Sequence, residues 1–397
     1  MRIPSRAERA MMDRRDFLGA IAVGLTAGPT AHANRSAMTR PYDGRNVILI
    51  RFGGGVRRQE TIDADASYAP FLKNVLAPQG VLFPQMQITD APGIVTSHGE
   101  GTLNILTGKY DVYRDIDGRL LGARFEAKVP TLFEALRKAY DVPTSQALII
   151  NGEDRIDEEF YSFSNHHLFG VDYRSSVLSL YRFKLHLLRR DLEQGRYSGR
   201  QEPEKRQELR RLEQLDRRAR DVAFRSPEID HFWDQWAAYY GRSGLVNPRG
   251  DRLLCELALR ALRTLRPRLM LINFNDPDYV HWGNPSHYTR GVTIIDESLQ
   301  RIHQAVEADD FYRGRTVFVV VPDCGRDNNP LVAVPYQHHF NSAHARRIFA
   351  VLWGPGIDRG RIVDRPVEQC QIAATVSALM GFEMPYAEGQ PLAEAFA

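Results

Sequence analysis

Five short runs of apolar residues divide the chain, and none of them alternates between apolar and polar positions. The runs are 46–50, 147–150, 269–274, 316–321 and 348–353. An unbroken apolar run of this length predicts a strand that is buried on both faces, as in a parallel sheet covered by helices. Amphipathic helices are predicted between and after the runs, at 131–138, 253–265, 289–306 and 367–380. The alternation predicts an α/β fold with a largely parallel sheet sandwiched by helices.

The segment from about residue 176 to residue 241 departs from this alternation. Its pattern predicts charged amphipathic helices interrupted at 195–199, with Arg and Glu often four residues apart over 202–220. We interpret the segment as a helical hairpin inserted into the α/β domain; the alternative is a lid over the active-site edge of the sheet. No internal repeat is visible in the sequence, so we predict one domain over 34–397 that carries this helical insertion.

The N-terminal residues have the three parts of an export signal. An Arg pair at 14–15 precedes the apolar run 18–28, and small residues at 31–33 offer a cleavage site. An Arg pair followed by Phe and Leu resembles a twin-arginine (Tat) signal, which exports folded proteins. We therefore expect residues 1–33 to be removed and the mature protein to be periplasmic or secreted. No later apolar run is long enough for a stable membrane span.

The composition is that of a globular protein, with 43% hydrophobic and 25% charged residues among 397. The formal net charge is only +3, and no basic stripe with interleaved aromatic residues is present, which argues against nucleic acid as a partner. The three cysteines, Cys255, Cys324 and Cys370, allow at most one disulfide and exclude a disulfide framework. The sequence leaves the oligomeric state open.

Polar residues flank the predicted strands at the edge of the sheet where α/β proteins bind ligands. They are Arg57 after the first run, Asn275, Asp276, Asp278 and His281 after the third, Asp323, Cys324 and Arg326 after the fourth, and His344 before the fifth. Carboxylates, imidazoles and thiolates are the ligands that zinc and similar cations accept. Arg57, Asn275 and Arg326 could hold an anionic substrate through charge-assisted hydrogen bonds. His338 and His339, in the loop leading to His344, are further polar candidates.

The order of these elements resembles the alkaline phosphatase superfamily, which includes sulfatases, phosphodiesterases and cofactor-independent phosphoglycerate mutases. The stretch 96–110, which ends in Leu-Thr-Gly-Lys-Tyr, resembles the nucleophile helix of that family, and Trp-Gly-Pro-Gly-Ile at 353–357 resembles its closing turn. The resemblance implies that Asp278, His281 and His344 bind one metal ion. The spacing to His281 is one residue short of the usual pattern from Asp278 and one residue long from Asp276, so either carboxylate could be the partner.

The resemblance places a second metal at Asp323 and Cys324, and here the chain departs from the family. Cys324 stands where the family has His, and Gly54 stands where active members carry a metal-binding Asp. Thiolate is a softer ligand than imidazole and would favour zinc over magnesium or calcium. We therefore expect one zinc-like divalent cation and a degenerate second site.

The nucleophile position falls on His98, where the family has Ser, Thr or Cys. A shift of one or two residues would place Ser97 or Thr96 there instead. The pattern is similar to a Tat-exported, little-characterised bacterial branch of the superfamily. It implies an exported, metal-dependent, hydrolase-like protein that acts on small anionic phosphate or sulfate esters. The alternative is a catalytically inactive relative that binds a ligand or an envelope partner.

Overall fold

The five apolar runs form the centre of a nine-stranded sheet. The computed structural model describes residues 40–63, 65–113, 126–152, 168–215, 226–241, 250–282, 284–327, 329, 331–338 and 341–397. The strands of the described residues are β1 Asn46–Arg51, β2 Val81–Gln87, β3 Val112–Tyr113, β4 Glu126–Ala127, β5 Ala147–Asn151, β6 Ser176–Leu178, β7 Leu269–Asn273, β8 Thr316–Val321, β9 Arg347–Trp353, β10 Arg361–Ile362 and β11 Val367–Glu368. The main sheet has the order β10-β2-β9-β8-β1-β7-β5-β6, with β11 also paired to β2; β3 and β4 pair separately.

The sheet is largely parallel, as the sequence predicts. β1 lies between β7 and β8 and is parallel to both, and β5 is parallel to β6 and β7. The exception is β9, which is antiparallel to β8 and to β2. Because β9 runs the other way, its first residues lie at the same edge of the sheet as the carboxyl ends of β1, β7 and β8. That edge therefore gathers the loops after three strands and the loop before a fourth.

Helices cover both faces of the sheet. They are α1 His98–Thr107, α2 Leu132–Ala139, α3 Leu180–Glu193, α4 Gln201–Leu215, α5 Pro227–Tyr240, α6 Asp251–Thr264, α7 Pro285–Glu307, α8 Ala343–Arg346 and α9 Gln371–Met380, with a short 3₁₀ helix at Asp276–Tyr279. Val47 and Leu49 of β1 pack in one core, which also holds residues of α1, α2 and α9. Ile48 and Ile50 pack in a second core with residues of α6 and α7. Successive side chains of one strand thus enter different cores, which explains why the runs do not alternate.

The segment predicted to be a helical insertion begins with β6, the edge strand of the main sheet, and continues with α3, α4 and α5. Buried leucines at 185, 188, 192 and 212 form a separate small core between α3 and α4. Residues 39–397 form one compact unit. The predicted export signal lies outside the described residues. Within the described part of the chain, no helix combines the length and apolarity needed to cross a bilayer.

Candidate metal centre

The carboxylate of Asp323 lies at the end of β8 and is held by backbone amides. The amide of Cys324 donates to its Oδ1 atom over 2.8 Å, and the amides of Gly55 and Gly54 donate over 3.2 and 3.4 Å. Gly54 has φ +84°, and a Cβ atom there would lie 2.5 Å from the backbone nitrogen of Asp278. No metal-binding side chain fits at this position, so the backbone of the loop after β1 contacts the carboxylate directly.

His98 is the first residue of α1, and its ring joins two carboxylates. Its Nδ1 atom lies 2.6 Å from Oδ2 of Asp323, and its Nε2 atom lies 2.7 Å from Oδ1 of Asp278. α1 reaches this position because Gly101 packs against the backbone of Asp323, where a Cβ atom would lie 2.0 Å from the carbonyl oxygen. In the neutral ring with its proton on Nδ1, Nε2 would present a lone pair to the residues around Asp278; in the protonated ring both nitrogens donate, and a metal ion would have to displace the Nε2 proton.

Two further imidazoles point to the same place. Nε2 of His338 lies 3.1 Å from Nε2 of His98, 3.0 Å from Nε2 of His281 and 3.2 Å from Oδ1 of Asp278. Nε2 of His281 lies 3.7 Å from the same oxygen of Asp278. Ligand atoms of a tetrahedral zinc site with bonds of about 2.0–2.1 Å are roughly 3.3 Å apart. These five separations bracket that value, and Asp278, His281 and His338 form one group of potential metal ligands, so the donor set fits a divalent cation.

The pKa shifts have their origin in the same contacts. Burial alone would lower the pKa of His98, but the charges of Asp278 and Asp323 raise it well above its ordinary value. Burial would raise the pKa of Asp278, but the charge of His98 and the hydrogen bond from His338 hold it well below its ordinary value. The carboxylate is therefore ionised and suited to a cation. Burial lowers the pKa of His281, which favours the neutral ring that a metal requires.

The four side chains are only partly closed off from solvent. His338 is fully buried, whereas the side chains of His98, Asp278 and His281 keep 12, 10 and 17% of their exposure. A small molecule could therefore approach the cluster from the side of His281. We refer to His98, Asp278, His281 and His338 as the four-ligand cluster.

Arg51 supplies a buried positive charge next to the cluster. The side chains of Arg51 and Asp323 are both fully buried, and Nη2 of Arg51 lies 3.6 Å from Oδ2 of Asp323. The guanidinium also donates to Oγ1 of Thr102 over 2.6 Å and to Oδ1 of Asn275 over 3.0 Å. The side-chain oxygen of Asn275, a predicted substrate-binding residue, thus accepts a hydrogen bond from Arg51. Arg51 directly follows the first apolar run and is the last residue of β1, but it was not predicted to be a site residue.

Cys324 lies on the other side of the His98 ring from Asp278. Its Sγ atom is 3.9 Å from Nδ1 of His98, and with His98 and His338 it forms a second group of potential ligands. Burial, followed by the charge of Asp323, raises the pKa of the Cys324 thiol to about 11. The neutral thiol is a poor ligand, and the nitrogen that it approaches already contacts Asp323. Within the described residues Cys324 forms no disulfide, like Cys255 and Cys370.

The two predicted alternatives for the nucleophile do not face the cluster. Ser97 caps α1, accepting from the amide of Glu100 over 3.2 Å and donating to its carboxylate over 2.8 Å. The hydroxyl of the fully buried Thr96 donates to the carbonyl of His338. The Thr96 amide donates to Oδ1 of Asn341 over 2.7 Å. Both hydroxyls are engaged in holding local structure, and His98 is the residue of this segment that reaches the centre.

The structure separates Asp276 from Asp278. Oδ1 of Asp276 accepts a hydrogen bond from the amide of Asp251 over 3.1 Å, at the start of α6. Asp278, two residues further along the 3₁₀ helix, is the one that contacts His98 and His338. Asp278 lies in this short helix, and the chain is extended at Val280 before it reaches His281.

His344, expected as the third ligand, lies outside the cluster, and His338 takes that place. His344 is exposed because it belongs to α8, a single helical turn capped by Ser342, in which Ala345 and Arg346 are the buried residues. Nothing in the pattern of the sequence distinguishes the two histidines, since both lie in the loop before β9. His339 lies outside the described residues.

The two predicted anion-binding arginines differ in their surroundings. Arg57 pairs with Glu60, with its Nε atom 2.9 Å from the carboxylate. Arg326 is fully buried and donates to four carbonyl oxygens, those of Gly54, Gly55, Val280 and Tyr336. Arg326 therefore ties together the loops that carry the cluster rather than pointing into it.

This α/β architecture is similar to the folds of solved structures of an alkaline phosphatase, a sulfatase and a lipoteichoic acid synthase. The chain is similar to a four-substitution mutant of the alkaline phosphatase PafA, with 11% identity and a TM-score of 0.55 over 89% of this chain and 99% of that one. It is also similar to a 2-O GAG sulfatase, with 12% identity and a TM-score of 0.53 over 88% of this chain and 74% of that one.

A third similar structure is the lipoteichoic acid synthase LtaP from Listeria monocytogenes, with 13% identity and a TM-score of 0.52 over 89% of this chain and 77% of that one. No protein-family model matches the sequence, and no curated protein matches it either. At such low identity the likeness establishes the fold, and the chemistry must be argued from the cluster.

Proposed function

We propose that the protein is a hydrolase-like protein that binds one zinc-like cation through His98, Asp278, His281 and His338 and acts on phosphate or sulfate esters. The observation that carries the proposal is that Nε2 of His338 and Oδ1 of Asp278 each lie 2.7–3.7 Å from the Nε2 atoms of His98 and His281. The proposed substrate class is taken from the phosphatase and the sulfatase among the similar structures.

The second metal position of the family is proposed to be degenerate. Gly54 supplies only its backbone there, Cys324 holds a neutral thiol, and Asp323 is engaged by the guanidinium of Arg51. Arg51 thus neutralises the carboxylate that would otherwise attract a cation. A single ion bound at the four-ligand cluster would polarise an ester oxygen and lower the pKa of a water molecule. The chain's own residues hold that ion: His98 is oriented by Asp323, and His338 by the Thr96 contact with its carbonyl.

A second candidate function is metal-dependent binding without catalysis. It is favoured by one observation, namely that protein side chains offer four candidate ligand atoms, with His98 at the segment predicted to carry the nucleophile. Structural zinc sites have four protein ligands, whereas catalytic sites usually keep one position open. The exposed side of His281 supports the first candidate, since a fifth ligand could approach there.

Turnover of aryl phosphate monoesters, diesters and sulfates by the metal-loaded protein separates the two candidates. We expect slow, metal-dependent hydrolysis that is lost in His281→Ala and retained in Ser97→Ala, the control at the helix cap. A loss of 100-fold or more in Ser97→Ala at unchanged metal content would identify Ser97 as a nucleophile and refute the proposed role of His98. A protein that holds its metal but hydrolyses none of the esters would be a binding protein instead.

The proposal includes export through a Tat signal to the periplasm or beyond. It is supported by the Arg pair and apolar run of residues 1–33, and by the small residues before Asn34. N-terminal sequencing of the protein recovered from the exported fraction tests it. We expect the mature chain to begin near Asn34; an uncleaved protein confined to the cytoplasm would refute it.

A further inference from the structure

A cavity separate from the four-ligand cluster opens at the same edge of the sheet. It has a volume of about 540 Å³, and its lining consists of Arg57, Arg58, Gln59, Asp63, Arg326, His344 and Arg347. None of the four cluster residues lines it. Small-molecule sites typically measure roughly 300–1,000 Å³, so this cavity is large enough for an organic ligand.

The lining is strongly cationic. Four guanidinium groups face a single carboxylate, an excess of three positive charges before His344 is considered. Two of these groups have anionic partners: Arg57 pairs with Glu60, and Arg58 lies 3.0 Å from Asp63. Within the described residues, Arg347 forms no ion pair. Arg347 and His344 are exposed at the start of β9 and the turn before it. The cavity therefore keeps positive charge that the protein itself does not neutralise.

We propose that this cavity binds the phosphate or sulfate group of a hydrophilic organic anion. Guanidinium groups match tetrahedral oxyanions because each offers two parallel N–H donors. The Arg58–Asp63 pair is partly exposed, with 28 and 45% of the side chains accessible, so Arg58 can exchange Asp63 for a ligand oxygen at little cost.

The polarity of the lining defines the rest of the ligand. Every lining residue is charged or polar, and no apolar side chain is available to cover a lipid tail. A phosphorylated or sulfated sugar has the required character. The proposal does not rest on the metal centre, because none of the four cluster residues lines the cavity and the two arginines tested below do not contact them in the described contacts.

Isothermal titration calorimetry of the full-length, metal-loaded protein tests the proposal, at an ionic strength held constant with sodium chloride. The probes are inorganic phosphate, inorganic sulfate, a hexose phosphate and the unmodified hexose. We expect saturable binding of the anions with Kd of about 1 mM or tighter. The hexose phosphate should bind more tightly than inorganic phosphate, and the hexose alone should not bind.

The double variant Arg58→Ala/Arg347→Ala should bind the anions about tenfold or more weakly, because charge-assisted hydrogen bonds are lost. Arg313→Ala is the matched control: Arg313 is an exposed, ion-paired arginine before β8, at the opposite edge of the sheet. It should bind like wild type, and His281→Ala should keep the anion binding that the double variant loses. Absence of saturable binding to wild type would overturn the proposal, as would equal weakening in the Arg313→Ala control. Binding lost in His281→Ala but kept in the double variant would place the anion at the metal centre and also overturn it.

Discussion

At the scale of single residues, Asp323 acts on the proposed metal centre through His98. Its carboxylate is 2.6 Å from Nδ1 of His98 and accepts three backbone amides, so it is rigidly placed. A carboxylate that accepts from the second nitrogen of a ligand histidine fixes the tautomer of the ring and raises its basicity. Asp323, expected from the sequence as a ligand, is better described as a positioning residue for His98.

Asp323→Asn should weaken metal binding by about 10–100-fold, the usual effect of removing such an orienting carboxylate. The metal Kd would be measured by competition with a chromophoric chelator. Asp327→Asn is the matched control, since Asp327 accepts from Ser342 over 2.6 Å and does not contact the cluster. Because Asp323→Asn leaves the buried Arg51 without its anionic partner, the thermal midpoint must be recorded as well. A folded Asp323→Asn protein with wild-type affinity would contradict the assigned role.

At the scale of elements, the sequence pattern predicts which loops carry the candidate site but not which residue of a loop reaches it. The loops after β7 and β8 could be predicted to lie at one edge, because the carboxyl ends of the parallel strands of a sheet share an edge. Asp278 and His281 follow β7, and Asp323 follows β8, so their placement at that edge was expected. His338 could not be chosen over His344 in this way. The choice depends on α8, a four-residue turn that exposes His344, and on the Thr96 contact that fixes the backbone of His338.

Another contact between elements has a consequence for the pH dependence of stability. Asp296 of α7 accepts the amides of Phe71 and Leu72 over 2.8 and 2.9 Å, tying α7 to the segment before β2. Burial, only partly offset by these hydrogen bonds, raises the pKa of Asp296 from 3.8 to about 6. The folded protein thus binds this proton more tightly than the unfolded chain. Ionisation of Asp296 therefore lowers the free energy of unfolding as pH rises from about 4 to 6, and the loss is complete above that range.

In Asp296→Asn this titration is absent. The free energy of unfolding of wild type minus that of the variant should fall by roughly 2 kcal/mol between pH 4 and pH 7, as a shift of this size implies. Urea unfolding at several pH values measures the difference. Asp310→Asn, at an exposed position shortly after α7, is the control for loss of a surface carboxylate. A difference independent of pH would mean that Asp296 keeps an ordinary pKa in the folded state.

At the scale of the whole molecule, the centre of the sheet could be predicted and its periphery could not. All five apolar runs are strands. A strand that is buried on both faces consists almost entirely of apolar residues, and such a run is recognisable in the sequence. β2 went unpredicted: Pro84 interrupts it, and its polar residues make its burial pattern uneven. β6, β10 and β11 have only two or three residues each, too few for a periodicity. β11 also replaces the first turn of the helix predicted at 367–380, so α9 begins at Gln371.

The similarity of the whole fold to other structures does not extend to the side chains. The similar structures share this architecture at 11–13% identity, so the packing of strands and helices tolerates almost complete replacement of side chains. In this chain a carboxylate and two imidazoles lie at the edge of the sheet, after β7 and before β9. The proposed loss of a second metal position rests on Gly54, Arg51 and His98.

Metal content is the most direct test of the central claim that one cation is held by His98, Asp278, His281 and His338. Elemental analysis of the purified, folded protein should find about one zinc-like ion per chain. His338→Ala should lose it, and His344→Ala, the matched exposed histidine in the same loop, should keep it. Metal lost on substitution of His344 and retained on substitution of His338 would contradict the account, as would a wild-type protein that takes up no metal when zinc is supplied.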